Sequence, residues 1–259
     1  MLKITSKENP AIKNVIKLKT SAKKRREQSL FIAEGLRLCY DAYISKALIT
    51  ATFVTQQAMS KYSEKIEQIK AVSTDFYIVD ERIFSLISDT KTPQGIICVI
   101  KILDKSNSFD TMKYNGKILA LDNVSDPQNL GTILRTAEAF GINGVILSEG
   151  CCDIYSPKVV RGSMGAIFRV PFIITDDLPS FIRSSKCASY AAVLDEKSVS
   201  VKEISFEENS IVVIGNEANG ISAETLKACD KSVIIPMAGR AESLNAAVAA
   251  SILMWEMVK

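Results

Sequence analysis

The sequence of 259 residues contains no histidine. Histidine is the commonest general base and metal ligand in proteins, so its absence excludes Ser-His-Asp and Cys-His catalysis. Any reaction must therefore use arginine, lysine, carboxylate, hydroxyl, amide or backbone groups. Six cysteines are present, but none forms a Cys-x-x-Cys pair. We therefore expect reduced thiols and no metal site.

Long apolar runs are also absent. No stretch reaches the roughly 20 apolar residues of a membrane-spanning helix. The first 18 residues are too rich in lysine, and too interrupted by polar residues, for a signal peptide. We therefore expect a cytoplasmic protein with no membrane partner. A hydrophobic content of 47% and a charged content of 24% are typical of globular proteins, and the length allows two domains.

Positive charge is concentrated at the N-terminal end. Residues 1–26 contain nine lysines and arginines but a single acidic residue, Glu8, which gives this segment a net charge of +8. The whole chain carries only +3, so the remainder is mildly acidic. Such an asymmetry is typical of nucleic-acid binding, but a solvated helix face has the same composition. Charge alone does not choose between the two.

Strand and helix patterns alternate along the chain and predict an α/β protein. From Lys117 onward the alternation is regular, which indicates a parallel sheet covered by helices on both faces. The stretch before it is polar and has no sustained period. We therefore predict a first domain over residues 1–104, a linker over 105–116 and a second domain over 117–259.

Three polar loops each follow a predicted strand of the second domain. Ligands of open parallel sheets bind at the carboxyl ends of the strands. In chain order, the loops lie at Asp122–Asn129, Gly215–Ile221 and Pro236–Asn245. Ile221 stands where a phosphate-binding P-loop needs lysine, and no G-x-G-x-x-G pattern is present, which disfavours a nucleotide-dependent Rossmann enzyme. Taken singly, each loop could be an ordinary turn or a helix cap.

Two further segments of the second half have helical patterns. The C-terminal helix is expected to begin at a cap formed by Glu242 or Ser243. Its apolar residues at helical spacing predict a buried stripe made of Leu244, Val248, Ile252 and Trp255. The segment Ser156–Pro171 offers Lys158, Arg161 and Arg169 beside small residues. It could face a substrate or be an amphipathic helix with a basic outer face.

Together, the three loops resemble the three motifs of the SpoU/TrmH family of RNA ribose 2′-O-methyltransferases, in the SPOUT superfamily. The N-x-G-x-x-x-R motif corresponds to Asn129–Arg135, the G-x-E-x-x-G motif to Gly215–Gly220, and the I-P-M-x-G-x-x-x-S-L-N motif to Ile235–Asn245. The N-terminal half is similar to the substrate-binding domain that often precedes this catalytic domain. The matching features there are Lys17-Leu18-Lys19, Phe31–Gly35 and Arg37-Leu38.

The resemblance implies an α/β fold with a C-terminal parallel-sheet SPOUT domain that carries a deep trefoil knot, preceded by a small α/β RNA-binding domain. It also implies a homodimer whose active site draws on both subunits. The implied reaction transfers a methyl group from S-adenosylmethionine (SAM) to a ribose 2′-OH of RNA, and 23S ribosomal RNA is the expected substrate. The alternatives are a transfer-RNA ribose methyltransferase and a non-catalytic RNA-binding or ribosome-assembly protein that retains the fold.

The resemblance also implies roles for individual residues. The reacting centre would be lined by Asn129, Arg135, Glu217, Ser243 and Asn245. The cofactor would contact Gly215, Asn216, Gly220, Ile235, Met237 and Leu244. The residues expected to bind RNA are Lys13, Lys17, Lys23, Lys24, Arg25, Arg26, Arg37 and Arg161.

Arg135 has a limited chemical repertoire. A guanidinium with a pKa above roughly 12 stays protonated in proteins. We therefore expect Arg135 to bind an adjacent phosphate and to stabilise the developing alkoxide, rather than to act as a base. The proton would then pass to phosphate, to water or to Glu217.

Overall fold

The computed structural model describes residues 2–103, 116–195 and 198–259. Almost all of the predicted linker 105–116 lies outside the described residues. Contacts divide the chain into two compact units, of which the first comprises Met1–Leu103 and Tyr155–Phe168. The second comprises Asp104–Ile154 and Arg169–Lys259. The predicted limits of the two domains stay a prediction.

The first unit contains a mixed five-stranded sheet in the order β1-β4-β3-β5-β2. Its strands are β1 Leu2–Ile4, β2 Leu30–Glu34, β3 Ile49–Val54, β4 Asp75–Val79 and β5 Ile96–Lys101. Its helices before β5 are α1 Pro10–Thr20, α2 Ala22–Gln28, α3 Leu36–Ile44, α4 Gln56–Lys61, α5 Ser63–Val72 and α6 Glu81–Ile87. Strand β5 pairs antiparallel with β2 and β3, whereas β4 pairs parallel with β1 and β3.

Helix α1 begins at an asparagine cap followed by a proline. The Asn9 side chain accepts a hydrogen bond from the backbone N–H of Ala11 at 2.9 Å, and Pro10 occupies the first helical position. Ile12 and Val15 are buried against the sheet core, while Lys13 is exposed. The basic side chains of this helix therefore lie outside the core.

The second unit contains a seven-stranded sheet in the order β10-β12-β9-β11-β6-β7-β8. Every pair of neighbours is parallel, which confirms the predicted parallel sheet. The strands are β6 Lys117–Leu121, β7 Gly144–Ser148, β8 Phe172–Thr175, β9 Ala188–Ala192, β10 Val199–Ser200, β11 Ser210–Ile214 and β12 Lys231–Ile234. The helices after β6 are α7 Pro127–Ala139, α8 Pro157–Gly162, α9 Ala166–Arg169, α10 Leu178–Ser184, α11 Ala223–Ala228 and α12 Ala246–Val258. Of these, α8 and α9 up to Phe168 belong to the first unit. A short 3₁₀ helix spans Val201–Glu203. The predicted trefoil knot stays a prediction.

Strands β6 and β11 lie at the centre of this sheet and end level with each other, because Leu121 pairs with Ile214. On one face, Ile118 and Val213 pack with residues of α10. Alternate residues of a strand point to the opposite face, where α7 and α12 pack. The loops that leave β6 and β11 therefore begin side by side at one edge of the sheet.

The predicted burial of the C-terminal helix is wrong. Helix α12 buries six residues, namely Ala246, Ala247, Ala250, Leu253, Met254 and Met257. Leu244, Val248 and Trp255, which were expected inside, are 37%, 47% and 54% exposed. The helix is apolar all round, so its periodicity does not select a face. Alanines on one side instead allow close approach to the sheet.

Across the described ranges, no helix is both long and apolar enough to cross a membrane.

Candidate active site

The loops after β6, β11 and β12 carry the predicted site residues. Asp126 caps helix α7: its side chain accepts from the backbone N–H of Gln128 at 2.8 Å, and Pro127 is the first helical residue. Asn129 lies inside the first turn of α7 and is only 5% exposed. Its side-chain amide therefore makes hydrogen bonds between loops rather than capping the helix.

Glu217 connects the second loop to the first. Its carboxylate accepts hydrogen bonds from the Ser125 N–H (3.1 Å), the Ser125 hydroxyl (2.9 Å) and the Asp126 N–H (3.2 Å). The Asn129 Nδ2 donates to it at 2.8 Å. One carboxylate thus fixes the turn between β6 and α7.

These hydrogen bonds change the acidity of Glu217. Desolvation by burial raises its pKa, but the hydrogen bonds from Asn129 and from backbone groups including Ser125 together outweigh it and lower the pKa from 4.5 to about 2. The group is therefore a carboxylate at neutral pH and a very weak base. Its stabilising contribution is complete above pH 4.5 and is lost as the pH falls towards 2.

Asn129 also connects the first loop to the third. Its Oδ1 accepts a hydrogen bond from Asn245 Nδ2 at 2.9 Å. The Asn245 Oδ1 accepts from the N–H groups of Ala247 (2.9 Å) and Val248 (3.3 Å), and thereby caps α12. The predicted cap at Glu242 or Ser243 is wrong, because Asn245 occupies that position. A continuous chain from Glu217 through Asn129 to Asn245 therefore joins all three loops.

The second loop is a tight turn closed on itself. The backbone N–H of Asn216 donates to the Gly220 carbonyl and the N–H of Gly220 to the Asn216 carbonyl, both at 2.9 Å. The Asn216 side chain is used within the loops: Nδ2 donates to the Asn123 carbonyl at 2.7 Å, and Oδ1 accepts from Ala218 N–H at 2.9 Å. Asn216 therefore shapes the turn with its side chain.

Gly215→Ala should destabilise this turn. A Cβ at Gly215 would lie 2.2 Å from the Gly220 carbonyl carbon and 2.3 Å from the Ile221 nitrogen, and both atoms are backbone. We expect a loss of about 1–3 kcal/mol in the free energy of unfolding, measured by denaturant titration. Gly239→Ala is the matched control, since a Cβ there meets nothing within 4 Å. Equal stability of the two variants would contradict the prediction.

Two residues of this edge were missed from the sequence. Asp122 is 3% exposed; it accepts from the Ser222 N–H at 2.8 Å and from Asn123 Nδ2 at 2.9 Å. Ser125 supplies two of the donors to Glu217. The available signal was the position of Asp122 directly after a buried strand, where a carboxylate needs partners.

The other predicted reacting residues stand apart from this hydrogen-bonded chain. Arg135 is exposed on α7, and its side chain has no hydrogen bond or ion pair to any described residue. Ser243 is exposed in the third loop and likewise has no partner in the described part of the chain. Both side chains are available to a ligand.

Within the described ranges, no group of three or more His, Cys, Asp or Glu residues could hold a metal ion.

Comparison with protein-family models shows which family the chain belongs to. The model of the SpoU rRNA Methylase family matches residues 116–255, more than half of the chain. The chain belongs to the SpoU rRNA methylase family. The MRM3-like substrate binding domain matches residues 9–98. Both resemblances drawn from the sequence are thereby confirmed.

Three relatives match between 81% and 99% of this chain. The 23S rRNA (guanosine(2553)-2'-O)-methyltransferase RlmP of Bacillus subtilis is 31% identical over 99% of each chain. The 23S rRNA (uridine(2479)-2'-O)-methyltransferase of Streptomyces viridochromogenes is 28% identical over 81% of this chain and 75% of its own. The crystal structure of an AdoMet-bound rRNA methyltransferase from Sinorhizobium meliloti has a TM-score of 0.88 and 32% identity, covering 98% of this chain and 96% of that one. The predicted enzyme class, a SAM-dependent RNA ribose 2′-O-methyltransferase, and its cofactor are confirmed.

The third loop of the SpoU methylase offers a fitting place for SAM. From Met237 to Leu244, no residue is hydrogen-bonded to another described residue. Their backbone N–H and C=O groups are therefore open to the polar edges of a small ligand. Ile235 and Met237 are half-buried and provide apolar surface beside them. These properties fit a nucleoside with an amino-acid tail.

The predicted RNA-binding residues of the SpoU methylase differ in availability. Five are exposed, namely Lys13, Lys17, Lys23, Arg26 and Arg37. Of these, Lys13 pairs with Glu8 at 2.6 Å and Lys23 lies 3.9 Å from Glu27. Lys24 pairs with Glu27 at 2.6 Å, and Arg161 pairs with Asp89 at 2.7 Å.

The Arg25 side chain is buried in the first unit. It is 5% exposed, and its Nη1 donates to the carbonyls of Leu18 (2.5 Å) and Lys19 (3.3 Å). Its guanidinium therefore satisfies carbonyls at the end of α1, which leaves it a poor candidate for a phosphate contact.

Proposed function

We propose that this SpoU methylase modifies a ribose 2′-OH of 23S ribosomal RNA. The observation that supports catalysis most directly is the hydrogen-bonded chain Glu217–Asn129–Asn245, which holds the three motif loops in one arrangement. A protein that only binds RNA has no need of this arrangement. The two 23S relatives modify different nucleotides, a guanosine and a uridine, so the proposal extends to the RNA and not to the base.

The cofactor would be held by the second and third loops. Gly215 allows close backbone approach because it has no side chain, and the backbone from Ile235 to Leu244 would supply donors and acceptors. When bound, SAM supplies a methyl group on a positively charged sulfur. The protein's own contribution is to place the ribose 2′-OH in line with that methyl group.

Arg135 would act on the RNA. Its guanidinium is exposed and has no partner among the described residues, so it can form two parallel hydrogen bonds to a phosphate. The same positive charge stabilises the 2′ oxygen as its proton leaves. Glu217 is a poor proton acceptor, because its carboxylate already accepts four hydrogen bonds and its pKa is lowered to about 2. Water or the phosphate would then accept the proton.

The first unit would bind the RNA phosphates through its exposed lysines and arginines. Lys17 and Arg26 are exposed and have no ion-pair partner among the described residues. Lysines and arginines bind phosphates without reading the sequence, and such binding weakens steeply with salt. The match of this unit to a substrate-binding domain supports a structured RNA as the partner.

The experiment is to map 2′-O-methyl groups in ribosomal RNA from cells with and without the gene. The purified protein is then supplied with SAM and with unmodified 23S, 16S or transfer RNA. We expect one ribose of 23S RNA to lose its methyl group in the deletion strain and to regain it in vitro. Methylation of transfer RNA alone would establish the transfer-RNA alternative, and SAM binding without transfer to any RNA would establish the non-catalytic one.

We also infer a homodimer formed through α12. Val248 and Trp255 lie on its exposed side and, with the exposed Leu244 at the end of the third loop, make an apolar surface. Trp255 contacts only one other ring in the described structure, that of Phe140, with centroids 5.6 Å apart. Contiguous apolar surface of this kind marks an interface. A second copy of the chain is the occupant because the surface continues the site loops, which the family resemblance assigns to both subunits.

Trp255→Glu should weaken this dimer. Aromatic residues at interface centres commonly contribute 2 kcal/mol or more, so we expect the dissociation constant to rise by about 30-fold or more. Sedimentation velocity over a concentration series measures it. Leu226→Glu is the control, because Leu226 is another exposed apolar residue (37%) but lies on α11. A monomeric wild type, or an unchanged dimer in Trp255→Glu, would contradict the inference.

The cytoplasmic location expected from the sequence stays a prediction.

A further inference from the structure

Arg169 and Glu138 form a two-point ion pair in the second unit. The Arg169 Nε donates to Glu138 Oε1, and Nη2 donates to Oε2 at 3.0 Å. Both carboxylate oxygens of Glu138 are therefore occupied by one guanidinium. The sequence left open whether Arg169 faces a substrate or only solvent.

Glu138 lies three residues after Arg135 on α7. Side chains three apart on a helix are neighbours, and an arginine and a glutamate at this spacing attract each other. Arg135 nevertheless has no ion pair among the described residues. The carboxylate that could neutralise Arg135 is engaged by Arg169 instead.

We propose that Arg169 is a positioning residue for the methyl-transfer reaction. By holding the Glu138 carboxylate, it keeps Arg135 unpaired and able to bind the RNA phosphate. It also cancels a negative charge that would repel that phosphate. The inference rests on the proposed role of Arg135.

Stability gives a weaker reason for this pair. The side chains of Arg169 and Glu138 are 38% and 33% exposed, and ion pairs this exposed contribute little to folding. A lysine would hold the carboxylate at one point only, whereas the arginine fork matches both oxygens. The arrangement therefore fits control of the carboxylate better than it fits support of the fold.

The test is a double-mutant cycle with methyl-transfer kinetics on the RNA substrate. Arg169→Met should raise KM for RNA about fivefold, because Glu138 is left to pair with Arg135 and to repel phosphate. Glu138→Gln alone should stay within about twofold of wild type. The double variant, which has the net charge of wild type, should also return to within about twofold. Arg183→Met is the control: it removes one exposed arginine of the same unit, whose Nη2 donates to the Ser180 hydroxyl at 3.1 Å.

Each outcome decides the inference. A double variant as impaired as Arg169→Met would overturn it, because Arg169 would then contact RNA directly or support the fold. Equal effects of Arg169→Met and Arg183→Met would also overturn it. If Arg169→Met does not fold, Arg169→Gln replaces it in the same cycle. An inactive wild type would instead contradict the proposed function, so the two failures are distinguishable.

Discussion

Arg135→Ala should lower the rate of methyl transfer by about 100- to 1,000-fold and leave the affinity for SAM unchanged. A charged donor aimed at a developing oxyanion commonly contributes this much. Arg135 is exposed and makes no hydrogen bond to the described site loops, so its loss should not disturb them. Single-turnover rates at saturating SAM, together with a SAM titration, measure both quantities. A loss of SAM affinity equal to the loss of rate would show that Arg135 supports the cofactor site instead.

Arg135→Lys separates two roles of the guanidinium. Lysine has an ordinary pKa of about 10.4, well below that of arginine, and would serve at least as well as a proton acceptor. It cannot, however, form the planar two-point contact with phosphate. We expect a loss of at least about tenfold, with KM for RNA raised. Near-normal activity of Arg135→Lys would exclude the two-point phosphate contact.

The location of the site could be predicted from the sequence, but its hydrogen bonding could not. Parallel strands place their following loops at one edge, so Asn129, Glu217 and Asn245 were expected to come close together. Which amide caps a helix was ambiguous, because several polar residues near each helix start can do so. Asp126 caps α7, which frees Asn129 to connect the loops. That choice depends on tertiary contacts with Glu217, which no local pattern contains.

The C-terminal helix shows the other limit of sequence reasoning. Periodicity identifies a buried face only when the opposite face is polar. In α12 both faces are apolar: Leu253 is buried, whereas Val248 and Trp255 are exposed. Such a helix has two surfaces to cover, and only one of them is covered within the chain. The uncovered surface, with Val248 and Trp255, is the one that we propose a second copy of the chain covers.

Asn245→Asp should impair catalysis without uncapping α12. Aspartate caps helices as well as asparagine, so the hydrogen bonds to the N–H groups of Ala247 and Val248 are retained. The Nδ2 donor to Asn129 is lost, and an oxygen faces an oxygen instead. We expect a helix content equal to wild type by circular dichroism and a rate lowered about tenfold, since one net hydrogen bond is worth about 1 kcal/mol and the orphaned acceptor adds to this. Asn245→Ala, which also loses the cap, should be less stable.

Asn129→Asp should have a larger effect than Asn245→Asp. We expect it to lower the rate of methyl transfer about 100-fold at pH 8. The substitution places a second carboxylate 2.8 Å from the position of a Glu217 oxygen, where Asn129 Nδ2 now donates. Two unit charges at about 4 Å near a protein surface repel by about 4 kcal/mol. Relaxation of the loops will relieve part of this. Asn143→Ala is the control, because Asn143 accepts from the Lys117 N–H at 2.8 Å at the start of β6 rather than its end. It should affect stability and not the rate.

The pH dependence of Asn129→Asp distinguishes electrostatic repulsion from general damage. Two adjacent carboxylates raise the pKa of one of them, and the protonated group can again donate to its neighbour. The rate relative to wild type should therefore recover as the pH falls from 8 towards 6. Wild-type Glu217, with a pKa of about 2, does not titrate in that range, so the ratio isolates the new carboxyl pair. A ratio that stays constant with pH would mean that the substitution disturbs the loops sterically and not through charge repulsion. The hydrogen bond from Asn129 to Glu217 would then not be the interaction that catalysis depends on.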